Sequence, residues 1–351
     1  MREVTPRIGA IATAHPPHDI HAAFTHWAES RIADPRGRAV FQRMAMRSGI
    51  AHRYAVLPPT PEGGSPISPG GFYAGEAPST SARMALYAHH APALALEAIA
   101  RLKLDPACIT HIVLASCTGF VAPGVDQIIA AELGLAPSVE RLLVGFMGCY
   151  AAISALRSAY HIIRSRPDAK VLVVTVELSS LHLSETDEIE PLLAMLQFGD
   201  GAAAAFVSGE GAGLGLSDPF ATTLPNSADL IRWDIGDTGF VMHLSGAVPT
   251  RIAAALQDAD FARTLCGDAP VDGWAVHAGG RSILDAVEHG LKLAPDSLAD
   301  SRAVLNACGN MSSATLMFVL ARIFGRHIQN GVALAFGPGL AAEGLRFRSV
   351  D

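Results

Sequence analysis

The chain is predicted to be an α/β protein in which a mixed, largely parallel sheet lies between layers of helices. Two observations predict this fold. Short apolar runs alternate with longer segments of helical periodicity, and the pattern starts again after about residue 213. Half of the 351 residues are hydrophobic and 17% are charged, which is typical of a protein with a large interior. The length fits two fused halves, which we expect at residues 1–213 and 214–351.

The individual elements follow from composition and spacing. The Pro- and Gly-rich stretch at 57–71 is expected to be a surface loop. Apolar positions recur with helical spacing at 90–103, 150–165 and 282–293, and a further loop and helix are expected at 307–325. Strands are expected where short runs are apolar throughout, as in buried sheets, at residues 8–14, 111–116, 170–177, 202–208, 273–278 and 331–337.

Charge and cysteine usage exclude several classes of protein. The net charge is −7, so a nucleic-acid partner is not expected. No long apolar stretch follows the basic N-terminus, and Gly119 and Pro123 interrupt the uncharged run at 107–125, so we expect neither a signal peptide nor a membrane span. Five cysteines without a CxxC pair indicate free thiols in the cytoplasm. The low charge content also suggests that a partner subunit covers part of the surface.

One local exception to the acidic balance lies between Asp34 and Glu62. This segment has no acidic residue and five arginines, at positions 36, 38, 43, 47 and 53. A solvated helix face is one explanation. A site for an anionic ligand with phosphate groups is the other, because guanidinium groups suit phosphate oxygens.

Cys149 stands between an apolar run and an amphipathic helical segment, and Gly145 and Gly148 allow a sharp turn before it. A cysteine at a helix N-terminus faces the positive end of the helix dipole, which is expected to lower its pKa and to favour a nucleophilic thiolate. The alternative is an inert packing residue, the usual role of a buried cysteine.

Two further strand-to-helix junctions carry polar side chains. His277 ends an apolar run, and Asn310 precedes a helix beginning near Ser312 and Ser313. Taken alone, the histidine could be structural and the asparagine an N-cap. Because ligands gather at the ends of strands in such sheets, we predict that Cys149, His277 and Asn310 share one crevice. There the thiol would accept an acyl group, and the other two would donate hydrogen bonds to a developing enolate.

Four sequence blocks carry a resemblance to a known family. FMGCYAA, HAGG, GNMSSA and AFGPGL occur in this order and are similar to the signature blocks of the chalcone synthase-like type III polyketide synthases. Similarity extends from ATAHPP near the N-terminus through FGDGA to the C-terminus. The resemblance implies a thiolase-like fold of two similar βαβ-rich halves in a five-layered αβαβα arrangement, and a homodimer.

The resemblance also implies a role for each residue of the trio. Cys149 would take a starter acyl group from CoA. His277 and Asn310 would stabilise the enolate formed when malonyl-CoA loses CO₂, and His277 would keep Cys149 ionised. Phe198 corresponds to a phenylalanine at the gate between the CoA tunnel and the cavity. The expected CoA-binding residues are Arg43, Arg47, Gly279 and Gly280, and Ser312, Gly337 and Pro338 would shape the cavity.

Departures from the plant enzymes bear on the starter. Met242 replaces a second gate phenylalanine, His182 replaces a threonine, and Trp233 replaces a glycine of the cavity. Ala122 replaces a methionine that reaches into the neighbouring subunit of the dimer. A flexible methionine tolerates aliphatic chains better than a fixed ring. We therefore expect an aliphatic acyl-CoA starter and a pyrone, resorcinol or phloroglucinol-type product.

Three alternative functions remain compatible with the sequence. An initiating ketoacyl-acyl-carrier-protein synthase shares the Cys, His and Asn chemistry but condenses once. A thiolase needs a second catalytic cysteine, for which Cys308 is the candidate nearest to Asn310. A non-catalytic protein could retain the same scaffold. The histidines show no metal-binding spacing, so neither a metal nor an organic cofactor is expected.

Overall fold

The structure is a computed structural model that describes residues 4–351. Thirteen strands are present in the described chain. In order they are Arg7–Ala14 (β1), His18–Asp19 (β2), Tyr54–Ala55 (β3), His111–Ser116 (β4), Glu140–Gly145 (β5), Lys170–Leu178 (β6), Asp200–Ser208 (β7), Gly213–Thr223 (β8), Ile231–Gly236 (β9), Gly239–Leu244 (β10), Gly273–Val276 (β11), Gly331–Gly337 (β12) and Ala341–Val350 (β13).

Eleven α-helices accompany the strands within residues 4–351. They are His21–Arg31 (α1), Pro35–Arg47 (α2), Thr80–Ala100 (α3), Val125–Glu132 (α4), Ala151–Ser165 (α5), Ile189–Met195 (α6), Val248–Leu256 (α7), Ala259–Cys266 (α8), Arg281–Leu291 (α9), Ala299–Cys308 (α10) and Ser313–Ile323 (α11).

One nine-stranded sheet runs through the molecule in the order β11-β12-β13-β8-β1-β7-β6-β4-β5. Two half-sheets meet where β1 pairs with β8 over only two residue pairs. The sheet is mixed, as predicted, but the expectation that it is largely parallel is wrong, because five of its eight ladders are antiparallel. The apolar runs could not reveal strand direction, since burial on both faces makes parallel and antiparallel strands look alike.

The layers follow from the alternation of side chains along each strand. In β4, Val113 and Ala115 face α5 and α11, whereas Ile112 and Leu114 face α3 and α4. In the other half-sheet, alternate residues of β12 face α5 and α11 or face α7 and α9. Both half-sheets are therefore covered on both faces, and α5 and α11 form the shared middle layer. This arrangement is the predicted five-layered αβαβα fold.

The six predicted strands are confirmed as β1, β4, β6, β7, β11 and β12, each within two residues of its expected bounds. The helix expected at 90–103 starts ten residues earlier, where Ser79 caps α3 by accepting a hydrogen bond from the Ala82 N–H. The stretch at 57–71 is a loop, but Pro66 within it is buried. No helix in residues 4–351 is long and apolar enough to cross a membrane.

Candidate active site

Cys149 lies in a tight turn between β5 and α5. Phe146 and Gly148 both have positive φ, at 55° and 83°. A Cβ atom at Gly148 would lie 2.3 Å from Cδ of Pro338, so only glycine fits this position. Tyr150 is the N-cap of α5, which places the Cys149 thiol just before the first turn of a buried helix, at the junction that the sequence predicts.

His277 follows the last residue of β11 and extends the ladder, because its backbone N–H donates to the Leu334 carbonyl at 2.8 Å. Its side chain is buried, yet neither Nδ1 nor Nε2 has a hydrogen-bond partner within residues 4–351. Most buried polar groups are paired. An imidazole with both ring nitrogens unpaired is therefore available to a bound molecule.

Asn310 is held in one orientation by its neighbours. Its Oδ1 accepts the Ser312 N–H at 2.8 Å, and its Nδ2 donates to the Gly279 carbonyl at 3.1 Å. Its second Nδ2 hydrogen meets no oxygen or nitrogen acceptor within residues 4–351, and the Asn310 side chain lowers the pKa of the Cys149 thiol in part. The Asn310 backbone also pairs with the segment carrying Phe198, through hydrogen bonds to the Gln197 carbonyl and from the Gly199 N–H. The carboxamide and the gate residue are thus fixed to each other.

These side chains face one cavity of about 710 Å³, referred to below as the catalytic cavity. Its walls come from both halves of the fold, as expected for a crevice at strand ends. The sequence-predicted residues that line it are Cys149, His277, Asn310, Phe198, Met242, Trp233, Ser312, Gly279, Gly337 and Pro338.

The pKa values of Cys149 and His277 do not favour the ionised pair that the sequence predicts. Burial raises the pKa of the Cys149 thiol to about 12, although a hydrogen bond with Ser312 lowers it in part. Burial lowers the pKa of His277 to about 3. The predicted lowering of the thiol pKa is wrong for this structure, because the cost of burying a charge exceeds the effect of the helix dipole. Both shifts favour the neutral thiol and the neutral imidazole, and an ion pair between them stays a prediction.

A second cavity of about 840 Å³ adjoins the first and is referred to below as the apolar cavity. Ser179, Phe198, Trp233 and Met242 line both cavities and form the shared wall. Most of the remaining lining is aliphatic or aromatic, and it includes residues 65–67 of the long loop. These four residues therefore separate the space beside Cys149, His277 and Asn310 from the second cavity.

His182 lines the apolar cavity as an aromatic wall. Its ring stacks on Phe240 with centroids 4.1 Å apart. One ring nitrogen accepts the Phe240 N–H, and the other lies 2.7 Å from the Thr118 carbonyl. Burial lowers the pKa of His182 to about 4. The ring is neutral with both nitrogens engaged, and it offers the cavity only its apolar faces. Trp233 is held similarly, because its Nε1–H donates to the Cys117 carbonyl at 2.9 Å.

The predicted CoA-binding residues lie outside or at the edge of the catalytic cavity. Arg43 and Arg47 are exposed on α2, and Arg47 lines a surface cleft with Gln197 and Arg281. Gly280 begins α9 as its N-cap, beside Gln197. Of the arginine-rich segment, Arg53 does not fit an anion site: it is buried and donates to the carbonyls of Met195 and Phe198.

Ala122 is exposed and lines neither cavity. It stands at a cis peptide bond with Pro123. Within a single chain this position therefore has no contact with the catalytic centre, and a role for it in a neighbouring subunit stays a prediction.

A buried carboxylate beneath the site was not predicted from the sequence. Glu177 ends the apolar run of β6 and is fully buried. It accepts hydrogen bonds from the Cys117 N–H, the Thr118 hydroxyl and the Ser313 hydroxyl. Burial raises the pKa of Glu177 to about 7, although these hydrogen bonds oppose the shift. A lone glutamate in an otherwise apolar strand was the available signal.

The thiol that shares the catalytic cavity with Cys149 is Cys117, and Cys308 does not line it. All five cysteines are free. Within residues 4–351, no group of three or more His, Cys, Asp or Glu side chains is placed to hold a metal ion.

Comparison with known proteins identifies the family. Residues 7–211 match the N-terminal domain of chalcone and stilbene synthases, and residues 216–351 match the C-terminal domain. The chain belongs to this family. It is a type III polyketide synthase, an enzyme of the acyltransferase type.

Individual relatives support the same family assignment. The alpha-pyrone synthesis polyketide synthase-like Pks18 of Mycobacterium tuberculosis is 36% identical over 286 residues, covering 76% of this chain and 72% of that protein. Bisdemethoxycurcumin synthase of Oryza sativa subsp. japonica is 32% identical over 372 residues, covering 96% and 90%. The crystal structure of PKS-I from the brown alga Ectocarpus siliculosus has a TM-score of 0.88 at 31% identity over 100% of both chains. These findings confirm the predicted family and the thiolase-like fold.

Proposed function

We propose that this type III polyketide synthase condenses malonyl-CoA repeatedly onto an acyl starter bound to Cys149. The observation that carries the proposal is the unpaired His277 imidazole, which shares one cavity with a thiol and an oriented carboxamide. A buried, unpaired donor aimed at a cavity is suited to bind charge that develops during a reaction.

Loading of the starter is the first step. The Cys149 sulfur forms a bond to the thioester carbon of the acyl-CoA, and the bond from that carbon to the CoA sulfur breaks. His277 takes the thiol proton and returns it to the departing CoA thiolate. The high pKa of Cys149 in this structure means that the proton leaves only as the new bond forms.

Extension is the second step. The bond between the malonyl methylene carbon and its carboxylate breaks, CO₂ leaves, and the electron pair forms an enolate. His277 and the free Nδ2 hydrogen of Asn310 donate hydrogen bonds to the enolate oxygen. The carbanion bonds to the acyl carbon on Cys149, the thioester bond breaks, and the elongated chain leaves on CoA. That chain reloads onto the regenerated thiolate, so the cycle repeats.

We propose an aliphatic starter and a pyrone, resorcinol or phloroglucinol-type product. The apolar cavity supports this proposal, because its shared wall carries Met242 in place of a ring and its lining is mostly hydrocarbon. Burying each CH₂ group of a starter there contributes about 0.8 kcal/mol. Trp233 and His182 narrow the space with ring faces and offer no free hydrogen-bonding group.

A homodimer joined along β5 is part of the same proposal. This edge strand pairs only with β4 in the described chain and exposes Leu142 by 44% and Leu143 by 45%. An exposed apolar edge favours pairing with another chain. Phe120, which is 43% exposed, lies close to the end of β5 beside Gly145. Leu143→Glu is expected to shift the mass measured by light scattering from dimer to monomer, and an unchanged mass would contradict this interface.

The remaining assignments complete the proposal. Arg43, Arg47, Gly279 and Gly280 bind CoA, no metal or organic cofactor takes part, and the enzyme works in the cytoplasm. The cleft beside Arg47 supports the CoA site, because it lies outside the catalytic cavity across the Gln197–Phe198 segment. The division into halves at residues 213 and 214 stays a prediction.

One experiment tests the function. Purified protein is incubated with malonyl-CoA and acyl-CoA starters of increasing chain length, and products are identified by mass. Pyrones or phenolic products with several extensions are expected, with aliphatic starters preferred. Activity on p-coumaroyl-CoA alone would contradict the aliphatic starter. A single condensation that requires malonyl-carrier protein would instead indicate an initiating ketoacyl synthase.

A further inference from the structure

The outward face of α2 combines positive charge with exposed apolar side chains. At about 100° per residue, Arg36, Arg43 and Arg47 fall within about 40° of one another, and Met44 and Met46 lie about 80° to either side of Arg36. The three arginines are exposed, and the methionines are 48% and 80% exposed. We call these five residues the α2 face.

The charge of the α2 face is not neutralised by the rest of the chain. Within residues 4–351, none of its three guanidinium groups forms a hydrogen bond or an ion pair. Three carboxylates stand nearby, and each is engaged elsewhere. Asp285, which lines the same cleft as Arg47, pairs with Arg281 and Arg302. Asp34 caps α2 by accepting backbone N–H groups, and Glu29 accepts a hydrogen bond from Gln42. A cationic surface on a protein of net charge −7 attracts an acidic partner to one place.

The α2 face borders a surface cleft whose lining residues are neighbours in the chain of residues that line the catalytic cavity. Met44 and Arg47 line the surface cleft together with Gln197 and Arg281. The Arg281 guanidinium donates to the Arg47 carbonyl at 3.2 Å, and Arg281 begins α9, where the helix dipole adds positive potential. Two residues before it, Gly279 lines the catalytic cavity. The cleft beside the α2 face and the catalytic cavity are thus lined by adjoining segments of chain, at Gln197–Phe198 and at Gly279–Arg281.

We infer that the α2 face docks an acidic acyl carrier protein, which presents an acyl chain on its phosphopantetheine arm to the cleft. The inference rests on the proposed function, because it concerns how that site receives its starter. CoA and a carrier protein share the phosphopantetheine thioester, so the same cleft serves both. A carrier protein would also contact the α2 face outside the cleft, and this contact distinguishes it from CoA.

Two properties of the α2 face favour a protein over the CoA nucleotide alone. Arg36 lies about 16 Å along the helix axis from Arg47, at 11 residues of about 1.5 Å each, and it does not line the cleft. Met46 is the most exposed large hydrophobic residue described and lies away from the arginine stripe. Apolar anchors beside a charged area are typical of protein interfaces, whereas a nucleotide phosphate gains nothing from a methionine.

The experiment compares three donors that carry the same dodecanoyl chain, with malonyl-CoA as extender. The donors are dodecanoyl-CoA, the uncharged dodecanoyl-pantetheine, and a purified bacterial acyl carrier protein loaded with dodecanoate. Met46→Glu and Arg36→Glu are the test variants, and both positions are exposed. Arg348→Glu is the control, because Arg348 is exposed on β13 and pairs with Gly215 at the end of the sheet remote from the cavities.

The wild type is expected to use the carrier-protein donor with kcat/KM at least equal to that with dodecanoyl-CoA. Each test variant should lower kcat/KM for the carrier-protein donor about tenfold, equivalent to about 1.4 kcal/mol, because each places a negative charge against an acidic partner. The pantetheine donor should change by less than about twofold in the test variants, and Arg348→Glu should behave as wild type with all donors.

Other outcomes overturn the inference. If the enzyme used dodecanoyl-CoA but not the carrier-protein donor, docking on the α2 face would be contradicted and the proposed function would stand. No product from any donor would remove the proposed function itself. Equal losses with all three donors would show that the variants act on catalysis and not on docking. If the test variants kept their kinetics with the carrier-protein donor but no longer bound vesicles of phosphatidylglycerol and phosphatidylcholine, the α2 face would be a membrane-binding surface instead.

Discussion

The catalytic cavity and the apolar cavity share a wall but are built differently. Backbone turns and strand ends position the reactive groups of the first, as at Cys149 after Gly148 and at His277 after β11. Side chains from distant segments form the second, including residues 65–67, α6 and the β9–β10 hairpin. Under the proposed function, local backbone geometry would fix the chemistry, and side-chain bulk would determine the choice of starter. Substitutions in the two cavities should therefore separate effects on the reaction from effects on the choice of starter.

The largest effect is expected from Cys149→Ala. Without the thiol no acyl-enzyme forms, so condensation should fall on the order of 10⁴-fold or more. Malonyl-CoA decarboxylation should persist, because His277 and Asn310 still bind the enolate. Product mass and CO₂ release measure the two reactions separately. Cys308→Ser is the matched control, since Cys308 does not line the cavity, and it should stay near wild type. Loss of decarboxylation in Cys149→Ala would contradict the division of roles.

The next effect is expected from Asn310→Ala and His277→Ala. Each removes a hydrogen-bond donor to the enolate, which costs about 10²–10³ in kcat. Unlike Cys149→Ala, these variants should lose decarboxylation together with condensation. Circular dichroism checks that folding survives, since Asn310 also orders the turn with Ser312. Full decarboxylation in either variant would exclude that residue from enolate binding.

A smaller effect is expected at the shared wall. Met242→Phe places a rigid ring between the cavities and should reduce kcat/KM for a dodecanoyl starter about tenfold relative to a butanoyl starter, a range typical of pocket contacts. Ile235→Phe on the same hairpin is the control, because Ile235 is 57% exposed and lines neither cavity. An unchanged chain-length profile in Met242→Phe would place the starter outside the apolar cavity.

The final prediction concerns pH. Burial raises the pKa of Cys149 to about 12, so its thiolate fraction increases as pH rises toward that value and is small at pH 7. The rate of alkylation by iodoacetamide without substrate should therefore keep rising through pH 9–10, about tenfold per pH unit below the pKa. Mass spectrometry of the Cys149 peptide gives the rate. A plateau near neutral pH would instead indicate an ion pair with His277.

Sequence patterns located the reactive residues because each depends on a short segment. Gly148 is required by a turn at positive φ, and the block GNMSSA encodes the turn that orients Asn310. These constraints act over a few residues, so they can be recognised without a structure. The protonation of Cys149 could not, because desolvation depends on every group around the thiol.

The sequence by itself determined the fold class, six strands and the three side chains that share the catalytic cavity, since periodicity, turn chemistry and short motifs are local properties. Only the tertiary structure decided the direction of the strands, the buried role of Arg53 and Glu177, and the burial that raises the pKa of the Cys149 thiol. It also decided that two cavities share a wall. Those features arise from segments distant in the chain, whose contacts exist only after the two halves have packed on the same central helices.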